Sequence, residues 1–249
     1  MKLGISGKTA LITGGNRNIG HSISRALADE GVRLIIAARQ ASVCEEDFRD
    51  EKREHLFVDV DLMQEAGPQT LVTHIHESGC YPDIVVHNLC GSLDIRDTFA
   101  EVSEWEKVWR YNVGIGHEIN RALLPAMIEK RWGRIIHLSS LATVTSEGNA
   151  AYMSAKCALE GYVRRVSKDF SRHNVIMNAV APGLVQLPGR YFTEQAEKDP
   201  GFIEKYYDDH LAIRRMCQPD EVGKLVAFLC SEHSAYMPGA IVRMDGGGN

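Results

Sequence analysis

Short apolar runs alternate with amphipathic stretches of helical length along the whole chain. The runs Thr9–Thr13, Arg33–Ala37, Glu54–Val58, Ile84–His87, Arg134–Leu138, Ile176–Val180 and Ala240–Met244 have the length and aliphatic content of buried strands. Their near-continuous apolarity marks strands covered on both faces rather than half-solvated ones. Between them, helical spacing of apolar residues predicts helices over Ile19–Glu30, Glu65–Glu77, Val102–Lys130, Ala150–Ser171 and Asp220–Ser231. Pro219-Asp220-Glu221 gives the last of these suitable first-turn chemistry. The pattern predicts an α/β fold: one doubly wound parallel sheet of about seven strands. No repeat, low-complexity tract or linker divides it, so residues 1–249 read as a single domain.

Only Leu184–Cys217 interrupts the alternation. It holds Pro188-Gly189, Pro200-Gly201 and the aromatics Tyr191, Phe192, Phe202, Tyr206 and Tyr207. Following a strand end, where open α/β sheets bind ligands, it is a candidate substrate lid. The alternative is a pair of surface helices whose aromatics pack downward.

Composition narrows the function classes. At 44% apolar and 24% charged residues with a formal charge of −5, the 249-residue chain lacks the basic excess of many nucleic-acid binders, and no nucleic-acid partner is expected. No run of 18 apolar residues and no long apolar leader is present, so a soluble, cytoplasmic protein without a membrane partner is expected. The six cysteines form no C-x-x-C pair, which argues for reduced thiols. His74-x-His76 lacks a third ligand at a recognisable spacing and reads as the end of a surface helix, so no metal is expected.

The first candidate site is TGGNRNIG, Thr13 to Gly20, directly after an apolar run. From Gly15 it follows the spacing of a nucleoside-triphosphate loop, with His21 where that loop needs lysine. From Gly14 it reads as strand, glycine turn and helix start, which suits a pyrophosphate resting on a helix N-terminus. The loop alone leaves both open.

The second is RIIHLSSLATVTSEGNAAYMSAK. A strand ends in Ser139-Ser140, and after eleven further residues comes Tyr152-x-x-x-Lys156. Residues four apart share a helix face, so the Lys156 ammonium can sit beside the Tyr152 phenol and favour its ionised form. From an ordinary pKa of about 10, such a phenol moves toward service as a general acid or base.

Taken together, these motifs resemble the short-chain dehydrogenase/reductase family, in its common form of about 250 residues, and the resemblance covers essentially the whole chain. Thr13-Gly14 through Gly20 matches the family's glycine loop, implying cofactor contacts from Gly14, Asn16, Arg17, Asn18, Ile19 and Gly20. Asp59-Val60 matches the adenine-contacting pair, Asn88 the middle of the N-N-A-G segment, and Asn112 the helix asparagine. Ser140, Tyr152 and Lys156 match the catalytic trio. Pro182-Gly183 matches the turn beside the nicotinamide, with Val185 just beyond, and Asp245-Gly246-Gly247 the C-terminal signature. A triphosphate-loop enzyme needs neither the Tyr/Lys pair nor that ending, so the resemblance favours the dinucleotide reading.

The resemblance implies a Rossmann-type fold and hydride transfer between a nicotinamide and a small-molecule ketone or secondary alcohol. Tyr152 would exchange a proton with the substrate oxygen and Ser140 would hydrogen-bond it. Lys156 would lower the tyrosine pKa and bind the nicotinamide ribose, so Tyr152 and Lys156 count as cofactor contacts too. Asn112 would support a water relay or mend an irregularity in its helix. Family spacing points more often to Ser139; counting from Gly133 along the strand selects Ser140.

Departures from the family pattern also carry information. Asn18 replaces a glycine, though asparagine tolerates positive φ. Leu89 and Cys90 are larger than their family counterparts; Cys90 is either packing or a thiol within reach of the cofactor. Leu187 stands where many members carry threonine. After the second strand comes Ala38-Arg39 and no carboxylate, so Arg17 and Arg39 either clamp a 2′-phosphate or are solvated surface charges. NADP(H) is favoured over NAD(H). Arg131 and Arg172 fall where 3-oxoacyl-carrier-protein reductases carry residues that dock the acidic carrier, which is the alternative function. A non-enzymatic cofactor sensor is a third, disfavoured because Tyr152 and Lys156 are both present. The family habit also leads us to expect a homotetramer.

Overall fold

The computed structural model describes residues 1–49, 53–146 and 148–248. Among them runs one seven-stranded sheet: β1 (Thr9–Thr13), β2 (Arg33–Ala38), β3 (Leu56–Asp59), β4 (Ile84–His87), β5 (Gly133–Leu138), β6 (Val175–Pro182) and β7 (Ile241–Met244). The order is β3-β2-β1-β4-β5-β6-β7 and all six pairings between neighbouring strands are parallel. The expected strands stand at these places, with ends shifted by at most two residues and β1 and β4 unshifted.

The helices are α1 (Asn18–Asp29), α2 (Gly67–Ser78), α3 (Val102–Trp109), α4 (Ile115–Lys130), α5 (Ala142–Thr145), α6 (Ala150–Phe170), α7 (Tyr191–Lys198), α8 (Pro200–His210) and α9 (Pro219–Leu229). His74 and His76 lie in α2. Among the described residues no group of three or more His, Cys, Asp or Glu side chains could hold a metal ion. None of the helices there is long and apolar enough to cross a membrane.

The strand pleat sorts the core into two layers. Leu11, Ile35, Ala37, Val85, Ile135 and Met177 face α2, α4 and α6. Their neighbours Ala10, Ile12, Leu34, Ile36, Val86 and Ile136 face α1 and α9. Both sets are fully buried or nearly so, which is why the strands read as unbroken apolar runs.

Two segments carry local structure that the apolar pattern did not resolve. The helix expected over Val102–Lys130 contains a π turn at Arg110–Gly114. Its wider spacing releases the Val108 carbonyl, and the Asn112 side chain takes that carbonyl at 2.8 Å. The segment 184–217 folds as α7 and α8, whose aromatics pack mainly on each other: Phe192 lies 4.5 Å from Tyr206, and Tyr191 5.3 Å from Phe192, between ring centroids.

Because the order reverses between β1 and β4, the chain leaves these adjacent strands toward opposite faces. A crevice opens at their carboxyl ends, and the glycine loop, Asn88 and Ser139-Ser140 all lie just beyond such strand ends.

Candidate active site

The glycine loop is shaped by close approach. Gly14 has φ +64°, and a Cβ on Gly20 would fall 2.0 Å from the Gly14 carbonyl oxygen and 2.6 Å from Asn88 Nδ2. Only a bare backbone lets α1 start this near β1. Asn18 takes φ +52°, a conformation asparagine tolerates. Arg17 is the N-cap residue of α1, and neither a side-chain cap nor an acidic first-turn residue is present there among the described residues. The first amides of α1 therefore remain open to an anion, with the positive end of the helix dipole behind them.

Asn16 and Asn88 brace this loop. Asn16 Nδ2 donates to the Gln40 carbonyl at 2.8 Å, tying the loop to the chain after β2, where Arg39 stands. Asn88 Nδ2 donates to the Gly14 carbonyl at 3.0 Å. Arg17 and Arg39 are exposed and make no ion pair among the described residues. Both draw down the pKa of the Tyr111 phenol by their charge, against the burial that raises it. Ile19 is half-buried against the core layer shared with α1 and α9. The Asp59 carboxylate accepts from the Ser42 amide at 3.0 Å and hydroxyl at 2.9 Å, and the Ser42 bonds hold it below the usual carboxylate range. Val60 is buried, its amide bonded to Ala38.

The chemistry-bearing side chains meet on the other side of the crevice. The Ser140 hydroxyl, whose Oγ accepts from the Ala142 amide at 3.2 Å, acts on the Tyr152 phenol and draws its pKa down. Ser139 is buried and donates to Glu160 Oε1 at 2.8 Å. One serine thus faces the phenol and its neighbour is fixed to α6. Lys156 is fully buried, its Nζ 2.5 Å from the Leu138 carbonyl and 5.6 Å from the Tyr152 ring centroid.

Burial pushes the Tyr152 phenol above its ordinary value, and Cys90 adds to this; Ser140 and Arg190 pull it back. The simple expectation that lysine brings the phenol toward neutrality is not what dominates here. Lys156 is held by the Leu138 carbonyl, and burial lowers its own pKa against the opposing effects of Cys90 and Glu160. The phenol is therefore protonated at neutral pH in this arrangement.

Asn112 is 6% exposed and its amide is spoken for: Nδ2 donates to the Gly91 and Val108 carbonyls, both at 2.8 Å, and Oδ1 accepts from the Gly91 amide at 3.2 Å. It thus joins the π turn to the loop carrying Cys90. Pro182 closes β6 and its carbonyl accepts from Leu141 at 3.0 Å. A Cβ on Gly183 would sit 3.1 Å from Asp245 Cα, which keeps this turn tight. Val185 bridges to Cys217, and the Leu187 amide donates to the Thr193 hydroxyl at 3.1 Å.

Arg190 and Glu160 emerge as site neighbours that the sequence did not single out. Arg190 precedes α7 and acts on Tyr152 across a loop; Glu160 lies one turn beyond Lys156 and holds Ser139. The i+4 spacing of Lys156 and Glu160 was a visible signal, whereas nothing local marked Arg190.

Comparison with known proteins agrees with this geometry. A family model described as enoyl-(acyl carrier protein) reductase matches residues 14–249. A 3-oxoacyl-[acyl-carrier-protein] reductase, FabG, from Aquifex aeolicus is 29% identical over 99% of both chains. The oxidoreductase UcpA from Salmonella typhimurium is 31% identical over 98% of this chain and 95% of its own. Among solved structures, the L-sorbose reductase of Gluconobacter frateurii complexed with NADPH and L-sorbose superposes with a TM-score of 0.89, at 29% identity over 99% of this chain and 98% of that one. With the Ser, Tyr and Lys side chains gathered at the strand ends of such a sheet, the chain belongs to the short-chain dehydrogenase/reductase family of oxidoreductases.

Proposed function

We propose that the protein is an NADP(H)-dependent oxidoreductase interconverting a ketone and a secondary alcohol, with Tyr152 as general acid and base. The observation that carries this reading is the convergence of Ser140 and Lys156 on one buried phenol. The crevice fits a dinucleotide: open amides at the start of α1, a loop narrowed to bare glycine backbone, and two uncommitted arginines where a 2′-phosphate would need them. When bound, the nicotinamide supplies or accepts the hydride.

The chain's own groups handle the proton. In reduction, the protonated Tyr152 donates to the carbonyl oxygen, and Ser140 donates a hydrogen bond to that oxygen as negative charge develops. In oxidation the phenolate must form first, which Ser140, Arg190 and the nearby Lys156 ammonium favour. Lys156 would also hold the nicotinamide ribose when the cofactor is bound. Asp59, Val60, Asn88, Pro182, Gly183 and Val185 shape the remaining walls, and α7 and α8 act as the substrate lid. A cytoplasmic location is part of the same proposal.

The test is turnover of a ketone and alcohol panel with both cofactors, followed by Tyr152→Phe. The variant is expected to fold, to bind NADP+ and to lose nearly all turnover. Near-normal kcat in the folded variant would sink the mechanism.

One observation favours a second reading, 3-oxoacyl-carrier-protein reduction. Arg131 Nη2 donates to the Arg172 carbonyl at 3.4 Å, and Arg172 joins Lys168 and His173 around a surface depression of about 380 Å³ whose one acidic lining residue, Asp169, pairs with Arg165 at 2.6 Å. Such a basic patch suits an acidic carrier. A carrier-bound thioester used no better than its free analogue would remove this reading.

A further inference from the structure

Beneath the catalytic groups lies a buried polar cluster that the reaction does not use. His87 closes β4, His137 lies one residue before the end of β5, Asn120 belongs to α4 and Tyr162 to α6. The two imidazoles stack with centroids 4.4 Å apart and 24° between their planes. His87 Nε2 is 2.8 Å from Asn120 Oδ1, while Asn120 Nδ2 is 3.4 Å from His137 Nε2 and 3.2 Å from the Tyr162 hydroxyl oxygen. His87, Asn120 and His137 are all buried.

These distances assign the hydrogens. Asn120 Oδ1 accepts, so His87 carries its proton on Nε2. The Asn120 amide donates, so His137 accepts at Nε2 and carries its proton on Nδ1. The pattern closes with both rings neutral. Gly116 makes room for them: a Cβ there would stand 3.1 Å from His137 Cε1 and 3.4 Å from His87 Cγ.

Each member comes from an element that also leads to a site residue. β4 runs into Asn88 and Cys90, α4 leaves the π turn that holds Asn112, β5 runs into Ser139 and Ser140, and α6 carries Tyr152 and Lys156. His137 directly precedes Leu138, whose carbonyl holds Lys156 Nζ, and the Tyr162 ring meets the His137 ring edge-on at 5.8 Å.

We propose that the His87–Asn120–His137–Tyr162 cluster is a positioning device that fixes α6 against β4, β5 and α4, so that the Lys156 ammonium stays on the Leu138 carbonyl while Tyr152 is held toward Ser140. It rests on the reading of Tyr152 and Lys156 as the acid-base pair. The device needs neutral rings, because a charged His137 would repel Lys156, with which it interacts. The titratable groups facing the cluster are Lys156 and Tyr162 from α6 and His117 from α4, whose ring lies 5.8 Å from that of Tyr162. Those facing the Tyr152 phenol are Cys90 after β4 and Arg190 before α7, with Lys156 on its own helix.

The test is the pH profile of kcat for secondary-alcohol oxidation, read beside NADP+ binding. His137→Leu is expected to lower kcat at least roughly 10-fold and to move its midpoint up by about half a pH unit or more, as the phenolate loses its cation. The Kd for NADP+ is expected to change far less than kcat, because only the Lys156 contact to the ribose is weakened while the glycine loop is untouched. His137→Gln, which still offers Asn120 an acceptor, should restore most of the loss. Tyr162→Phe, which removes one oxygen only, should shift the midpoint less but in the same direction, and decides the matter alone if His137→Leu does not fold. An unmoved midpoint in either folded variant, a Gln variant no better than Leu, or a parallel loss of NADP+ binding would overturn the proposal. Failure of the underlying reading shows separately, as turnover surviving in Tyr152→Phe.

Discussion

Arg17 and Arg39 are exposed guanidiniums carried on loops joined by the Asn16–Gln40 bond, with no carboxylate committed to either among the described residues. If they read a 2′-phosphate, alanine at either position removes a charge-assisted bond that costs about 1.5–3 kcal/mol, roughly 10- to 150-fold in KM for NADPH. KM for NADH should hardly move; steady-state kinetics with both cofactors decide this, and equal effects would leave the arginines as surface charge. Their candidacy was legible because both follow recognisable strand ends. The two serines show how far such reading goes. Ser139 and Ser140 are chemically identical in the sequence, and what separates them is Glu160, twenty-one residues downstream, which takes the Ser139 hydroxyl. Arg190 was invisible for the same reason: its effect on Tyr152 depends on a turn that includes Gly189 at φ +67° and brings the start of α7 back over the site.

At the scale of elements, the meeting of α1 with the loop after β1 makes the sharpest demand on the chain. A methyl group at Gly20 would collide with backbone at Gly14, which cannot swing aside as a side-chain tip can. Gly20→Ala is therefore expected to lose about 2–3 kcal/mol of stability by urea unfolding, an overpacking cost, and to weaken cofactor binding as α1 is displaced. Wild-type stability with wild-type affinity would show that the loop yields. Strand and helix positions were legible because burial on both sheet faces writes itself as apolar runs, and helical contact as three- and four-residue spacing. The π turn was not: one residue of extra spacing between Arg110 and Gly114 alters no periodicity over a window that short, and its stabilising partner Gly91 is twenty-one residues away. The segment 184–217 was legible as an interruption only. Its two helices stand on mutual aromatic contacts such as Phe192–Tyr206, which composition announces without specifying.

For the whole molecule, the expected assembly is a homotetramer built through the helices near Val102–Lys130 and Ala150–Ser171, and light scattering at micromolar concentration checks it; a monomer would refute it. A second molecular property follows from the buried histidines. Burial holds His87 at about 4 and His137 well below its ordinary value of 6.5, and Lys156 depresses His137 further. Above pH 6.5 the rings are neutral in both folded and unfolded chains and contribute no pH dependence. As pH falls below 6.5 the unfolded chain takes up protons that the folded core refuses, so stability declines, until near pH 4 folded His87 is protonated as well. For His87 alone this window corresponds to roughly 3 kcal/mol, and His137 adds in the same direction. The depressed carboxylates act lower: Glu221, held at about 2 by Arg215 and the Gln218 amide, begins to matter only below its ordinary 4.5. Between pH 6.5 and 5 the histidines therefore dominate among the resolved shifts. Urea unfolding across that interval should show a loss of about 2 kcal/mol or more in the wild-type chain. The same interval should be nearly flat for a folded His87→Asn/His137→Asn double variant, since asparagine fills polar positions without titrating. An equally steep decline in that variant would place the acid sensitivity elsewhere in the molecule.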